Sequence, residues 1–185
     1  MTAMSEQQSI IVPQISTFPD AEGKARQVLR WLHKRQLVAA ELSTCGRLGN
    51  RMAYAIAEGA RQLPHAERLP FGQPCNGLQV VTKRCIYTPS RDFLEEAGCP
   101  QCRQEVGVAL FESLDEWSVG VSDNFTCPEC GHEDDINGFL FLQPCAFSNL
   151  AFVFNGWPPE CFSPALLEQF AERLGFPVRL VRVDG

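Results

Sequence analysis

Two cysteine pairs, Cys99-Pro-Gln-Cys102 and Cys127-Pro-Glu-Cys130, constrain this 185-residue chain more than any other feature. Each places two thiols three residues apart in a tight turn, and 24 residues separate the pairs. Two such turns facing each other supply the four soft donors that a tetrahedral Zn²⁺ takes at about 2.3 Å. The proline in each turn fixes φ, and Gly131, just past the second pair, supplies a positive φ at little cost. Two redox dithiols or two disulfide-forming pairs are the alternative, but a redox CxxC normally stands alone at a helix start in a βαβ setting, and neither pair has that context. A catalytic zinc keeps one position open for water or substrate. Four cysteines close the shell, so one structural Zn²⁺ per chain is expected on Cys99, Cys102, Cys127 and Cys130. His132 is expected beside that site, not in it.

Through CPQC and CPECG the segment resembles the zinc-ribbon family, in which two zinc knuckles share one metal. The resemblance covers residues 99–135, a fifth of the chain. It implies a metal site and no particular activity. Between the pairs, Val106 to Phe111 and Trp117 to Val121 are strand-length runs flanking the polar stretch Glu112 to Glu116. This pattern predicts a β-hairpin that carries Cys102 back to Cys127.

Charge is unevenly spread. Residues 99–135 hold one base, Arg103, against nine acids, a net −8, whereas the whole chain is at −6 and the remainder therefore at +2. A Zn²⁺ with four thiolates adds about two more negative charges. The segment reads as an anionic lobe on a nearly neutral body, with Glu129, Glu133, Asp134 and Asp135 as candidates for contact with a basic partner. Such a charge would repel nucleic-acid phosphates.

The rest reads as one α/β or α+β body, residues 9–98 plus 136–185, with a mixed sheet and two or three helices, interrupted by the inserted ribbon; residues 1–8 read as a loose tail. Ile10 to Val12 predicts a strand. Thr17-Phe-Pro-Asp20 reads as a capping box opening a helix to about Lys34, with Pro19 in its first turn. Arg26, Arg30 and Lys34, four apart, mark that helix's solvated face. Leu37 to Leu42 predicts a strand, and Asn50 a cap for an alanine-rich helix over 51–62. Gly77 to Tyr87 reads as one half-buried strand. Phe139 to Leu142 and Leu150 to Phe154 are continuous apolar runs, the mark of strands covered on both faces. Ser163-Pro164 and Gly175 bracket a helix, and Val178 to Val183 predicts a last strand. No apolar run reaches the roughly 20 residues of a membrane span, and no signal peptide is evident.

Nine cysteines leave five beyond the pairs, Cys45, Cys75, Cys85, Cys145 and Cys161, an odd number expected to be reduced thiols in the cytosol. These features favour a zinc-stabilised, non-catalytic module for a basic protein partner, such as a toxin-neutralising immunity protein or an adaptor. The alternatives are a nucleic-acid-associated protein using the basic helix 24–35, and a thiol enzyme using Cys45 with His33 or His65 as base.

Overall fold

Strand Ala151–Asn155 shows how the body is built. All five residues are buried, and its side chains alternate between two separate cores, Phe152 and Phe154 to one face and Ala151 and Val153 to the other. A computed structural model describes residues 7–48, 51–89 and 93–184. In chain order the elements are β1 (Gln8–Pro13), α1 (Ala21–Lys34), β2 (Val38–Ser43), β3 (Ala53–Ile56), β4 (Leu78–Val81), β5 (Cys85–Tyr87) and β6 (Ala97–Gly98). Then come α2 (Gly107–Glu112), α3 (Leu114–Ser118), β7 (Asn124–Thr126), β8 (Glu133–Asp135) and β9 (Leu140–Phe141). The chain returns to the body with β10 (Ala146–Ser148), β11 (Ala151–Asn155), α4 (Pro164–Leu174) and β12 (Val178–Val183).

Six strands form one sheet in the order β12-β1-β11-β4-β3-β2. The fold is α+β, and in place of a mixed sheet every neighbouring pair is antiparallel. β11, α4 and β12 do make a crossover, but β1 lies between the two strands and pairs with both. One face carries α1 and α4 over a core that includes Ile11, Val28, Leu32, Leu78 and Phe170. The other carries Ile10, Val12 and Val181 under β5 and β10, which pair with each other. Each such apolar side chain taken fully from water contributes about 1.5–3 kcal/mol. No helix of the described residues is long and apolar enough to cross a membrane.

Several local expectations change. The N-cap of α1 is Asp20, which accepts from the Gly23 amide at 3.3 Å, so Pro19 precedes the cap. Thr17 is recruited elsewhere, donating to Asp123 at 2.8 Å. The alanine-rich stretch is not a helix: Ala53–Ile56 is β3, held between β2 and β4, and only a 3₁₀ turn, Glu58–Gln62, follows. Asn50 lies outside the described residues. Gly77–Tyr87 divides into β4 and β5, which belong to different sheets. Arg84, at the break, turns aside to hold the cysteine-rich lobe. Of Phe139–Leu142 only Leu140–Phe141 is strand, with Leu140 and Leu142 exposed. The tail reading gives way at Gln8, which already pairs with Asn155 and Val183.

Candidate metal centre

Cys99 and Cys102 form one turn, Cys127 and Cys130 another, and the two have the same backbone geometry. In each, the amide two residues after the first cysteine points at its sulfur: Gln101 N to Cys99 Sγ and Glu129 N to Cys127 Sγ are both 3.4 Å. The amides of Arg103 and Gly131 close the turns on the carbonyls of Cys99 and Cys127, each at 2.9 Å. Cys99 and Cys127 then donate their own amides to the carbonyls of Gln104 and His132. Arg103 and Gly131 carry φ of 64° and 80°, so both turns need a left-handed residue at the same place.

The turns face each other. Cys99 Sγ lies 3.7 Å from Cys130 Sγ and Cys102 Sγ 3.7 Å from Cys127 Sγ, and all four sulfurs lie within 4.8 Å of one another. A disulfide would need about 2.05 Å, whereas a tetrahedron of thiolates at about 2.3 Å from a zinc has edges of about 3.8 Å. Both 3.7 Å contacts join one turn to the other, so an ion among the sulfurs would be shared by the two turns. The four sulfurs can hold one metal ion, and no histidine or carboxylate of the described residues joins the group.

Ionisation is unevenly shared in the metal-free thiols. Burial raises the Cys99 thiol, but the amides of Cys102 and Gln101 and the thiols of Cys130 and Cys102 bring it down to about 6. At Cys102 the Gln104 amide favours the thiolate, yet desolvation and the surrounding sulfurs push it up to about 12. One thiolate is well hosted; four at this spacing repel unless a cation sits among them.

The expected hairpin between the pairs is absent. Two short helices, α2 and α3, stand there instead. Alternation could not hold because Val108, Val119 and Val121 point to solvent while Leu110 and Trp117 are buried. Leu110 and Trp117 pack with Phe125, Ile136, Phe139, Phe147 and the sulfurs of Cys99 and Cys127 in one core. Trp117 meets Phe147 edge-on at 5.9 Å, and Phe125 meets Phe139 at 5.1 Å. The first cysteine turn continues β6, which pairs with β9, and the second caps the β7–β8 hairpin.

Hydrogen bonds tie this lobe to the body. Arg84 reaches the Trp117 carbonyl at 2.8 Å and Thr17 Oγ1 at 2.9 Å, pairs with Asp123, and lies 4.6 Å over the Trp117 ring. Trp117 Nε1 donates to Ser16 Oγ at 2.8 Å. Asp135 accepts from the Ser16 amide at 3.0 Å, the Ser16 hydroxyl at 3.1 Å and both nitrogens of Asn137. Arg179 of β12 donates to the Cys145 carbonyl at 2.7 Å. Ser16 and Arg84 carry no motif and sequence reasoning missed them, whereas Thr17 was read as a helix cap instead of a partner of Asp123.

The candidate acids thus divide. Glu129, Glu133 and Asp134 are exposed, whereas Asp135 is committed internally and Asp123 to Arg84. His132 packs against Phe139 at 5.9 Å, with Nε2 buried and without a hydrogen-bond partner among the described residues. Cys45 is buried; its sulfur accepts from Ser43 and donates to the Ala53 carbonyl at 3.4 Å, with no imidazole among these partners. Burial pushes the Cys145 thiol up to about 12 and the Cys161 thiol up to about 11, so both are neutral. Comparisons of the chain with protein-family models, with curated proteins and with solved structures find no match.

Proposed function

We propose that the protein is a non-catalytic binding module whose acidic lobe is built around one structural Zn²⁺ on Cys99, Cys102, Cys127 and Cys130. In this reading the lobe presents Glu129, Glu133 and Asp134 to a basic protein partner, the situation of an immunity protein or an adaptor. The observation that carries it is the closure of the sulfur tetrahedron: an all-thiolate shell suits zinc and leaves no position for water or substrate. Support for the recognition role comes from the exposure of Glu105, Glu112, Asp115 and Glu116 on the same lobe. Complementary charge accelerates encounter and rejects wrong partners. Asp135 is not part of the contact set in this reading, because its carboxylate already serves Ser16 and Asn137.

Two measurements test it. Elemental analysis of the purified chain is expected to give one zinc, lost in Cys99→Ser; a substoichiometric content unchanged by that substitution overturns the metal. Affinity capture from native cytosol is then compared between wild type and Glu129→Lys/Glu133→Lys/Asp134→Lys. The wild type is expected to retain a basic protein that the variant, still zinc-loaded, does not. Equal retention overturns the acidic contact.

A further inference from the structure

Two long helices do not cover six strands. The flank of α1 toward α4 is closed: Arg35 donates to Gln169 at 2.6 Å, and Arg173 lies 4.7 Å over Trp31. The opposite flank is open. There Arg26, Leu29, Arg30 and His33 stand at i, i+3, i+4 and i+7, one stripe of a helix. With Ala39, Ala40 and Tyr54 they line a pocket of about 230 Å³. Leu29, Ala39 and Tyr54 are half-buried and give it an apolar side; Arg26 and Arg30 are exposed and give it a cationic one, with the exposed His33 beside them.

These two arginines differ from most others in the chain. Arg35, Arg61, Arg68, Arg84, Arg179 and Arg182 each reach a carboxylate, amide or carbonyl oxygen. Arg26 and Arg30 make no hydrogen bond or ion pair among the described residues, and neither does the Tyr54 hydroxyl. The sheet does not shut the pocket. β2 is an edge strand, and its register with β3 shifts between Val38 and Leu42, where Ala39 and Ala40 lie. Such a bulge turns an edge away from strand partners, and two alanine side chains leave the space above it free.

The two guanidiniums sit one helical turn apart, about 6 Å along the axis. A carboxylate is satisfied by one guanidinium fork; a phosphate monoester, doubly charged with three free oxygens, can meet two. We propose that this pocket binds a small phosphate monoester carrying a compact apolar or aromatic group. The phosphate lies on Arg26 and Arg30, and the ring rests against Leu29, Ala39 and Tyr54. None of these residues belongs to the metal lobe, so this site goes beyond the acidic-lobe reading and stands or falls separately.

The test is calorimetric titration of the metal-loaded full chain at low salt with phenyl phosphate, inorganic phosphate and benzoate. Phenyl phosphate is expected to bind at least tenfold more tightly than either of the others. Arg26→Gln/Arg30→Gln is expected to weaken it at least tenfold, whereas Lys24→Gln/Lys34→Gln, which removes the same charge from the same helix outside the pocket lining, leaves it within twofold. Ala40→Phe, filling the apolar side from an exposed position, reduces phenyl phosphate to the affinity of inorganic phosphate. The proposal is overturned if phenyl phosphate gives no saturable binding, if benzoate equals it, or if the lysine pair matters as much as the arginine pair.

Discussion

Arg103 and Gly131 occupy the same place in the two cysteine turns, and the chain treats them unequally. Both have positive φ, a conformation that costs a side-chain-bearing residue about 1–2 kcal/mol. Nothing lies within 4 Å of a Cβ added at Gly131, so Gly131→Ala isolates the backbone term. It is expected to lower the stability of the protein by about 1 kcal/mol, read as a fall in Tm. Arg103→Gly relieves the same strain while loosening the unfolded chain, and a net gain of about 0.5 kcal/mol is expected. Asp123 gives the pH-dependent case. Burial raises its carboxyl, but Arg84 and Thr17 outweigh that and hold it below the usual aspartate range. A depressed carboxylate stabilises the fold above its unfolded-state pKa and loses that contribution as pH falls through its folded one. Asp123→Asn is therefore expected to destabilise the protein at neutral pH, with the gap to wild type closing below about pH 4. A gap independent of pH in urea unfolding would show that Arg84 gains nothing from the charge.

Among the elements, those specified by neighbours in sequence were legible and those specified by distant partners were not. Ser163-Pro164 and Gly175 bracket α4 because cap, N1 proline and left-handed stop act within one turn. The four cysteines were legible for the same reason, since each turn is complete within six residues. Thr17 misled because its hydroxyl answers to Asp123, 106 residues away, and Ala53–Ile56 misled because sheet pairing overrides alanine's helical preference. The stretch 106–121 failed differently. Its apolar residues suit either period, and the choice fell to burial: Leu110 of α2 and Trp117 of α3 both enter the core that holds Cys99 and Cys127, while Val108, Val119 and Val121 face solvent. The sequence also could not separate exposed acids from Asp135, whose partner Ser16 lies 119 residues away. If the helices carry the lobe's core, Leu110→Ala leaves a cavity and is expected to cost about 2–5 kcal/mol. The check is urea unfolding followed by both tryptophan fluorescence and metal release, which are expected to shift together.

The molecule as a whole is a sheet interrupted by a lobe that leaves after β5 and returns at β10, two strands that pair with each other. Because the exit and re-entry points are neighbours, the sheet does not need the lobe's interior to complete its own pairing. Removing the metal with a chelator is expected to open residues 99–135 to protease while the pieces before and after remain associated through β1, β11 and β12. Separation of those pieces on size exclusion after cleavage would contradict a single interrupted body. The position of β1 adds a constraint in time. Its partners on either side are β11 and β12, and its residue Ile11 pairs with Phe152 and Leu180. During synthesis at about 5–20 residues per second, β1 waits on the order of ten seconds for its first neighbour. The cysteine turns, all four thiols and most of the lobe's core emerge in that interval. The four thiols are therefore together before the sheet closes, and β1 stays an unpaired apolar strand until β11 emerges, whether or not they hold an ion.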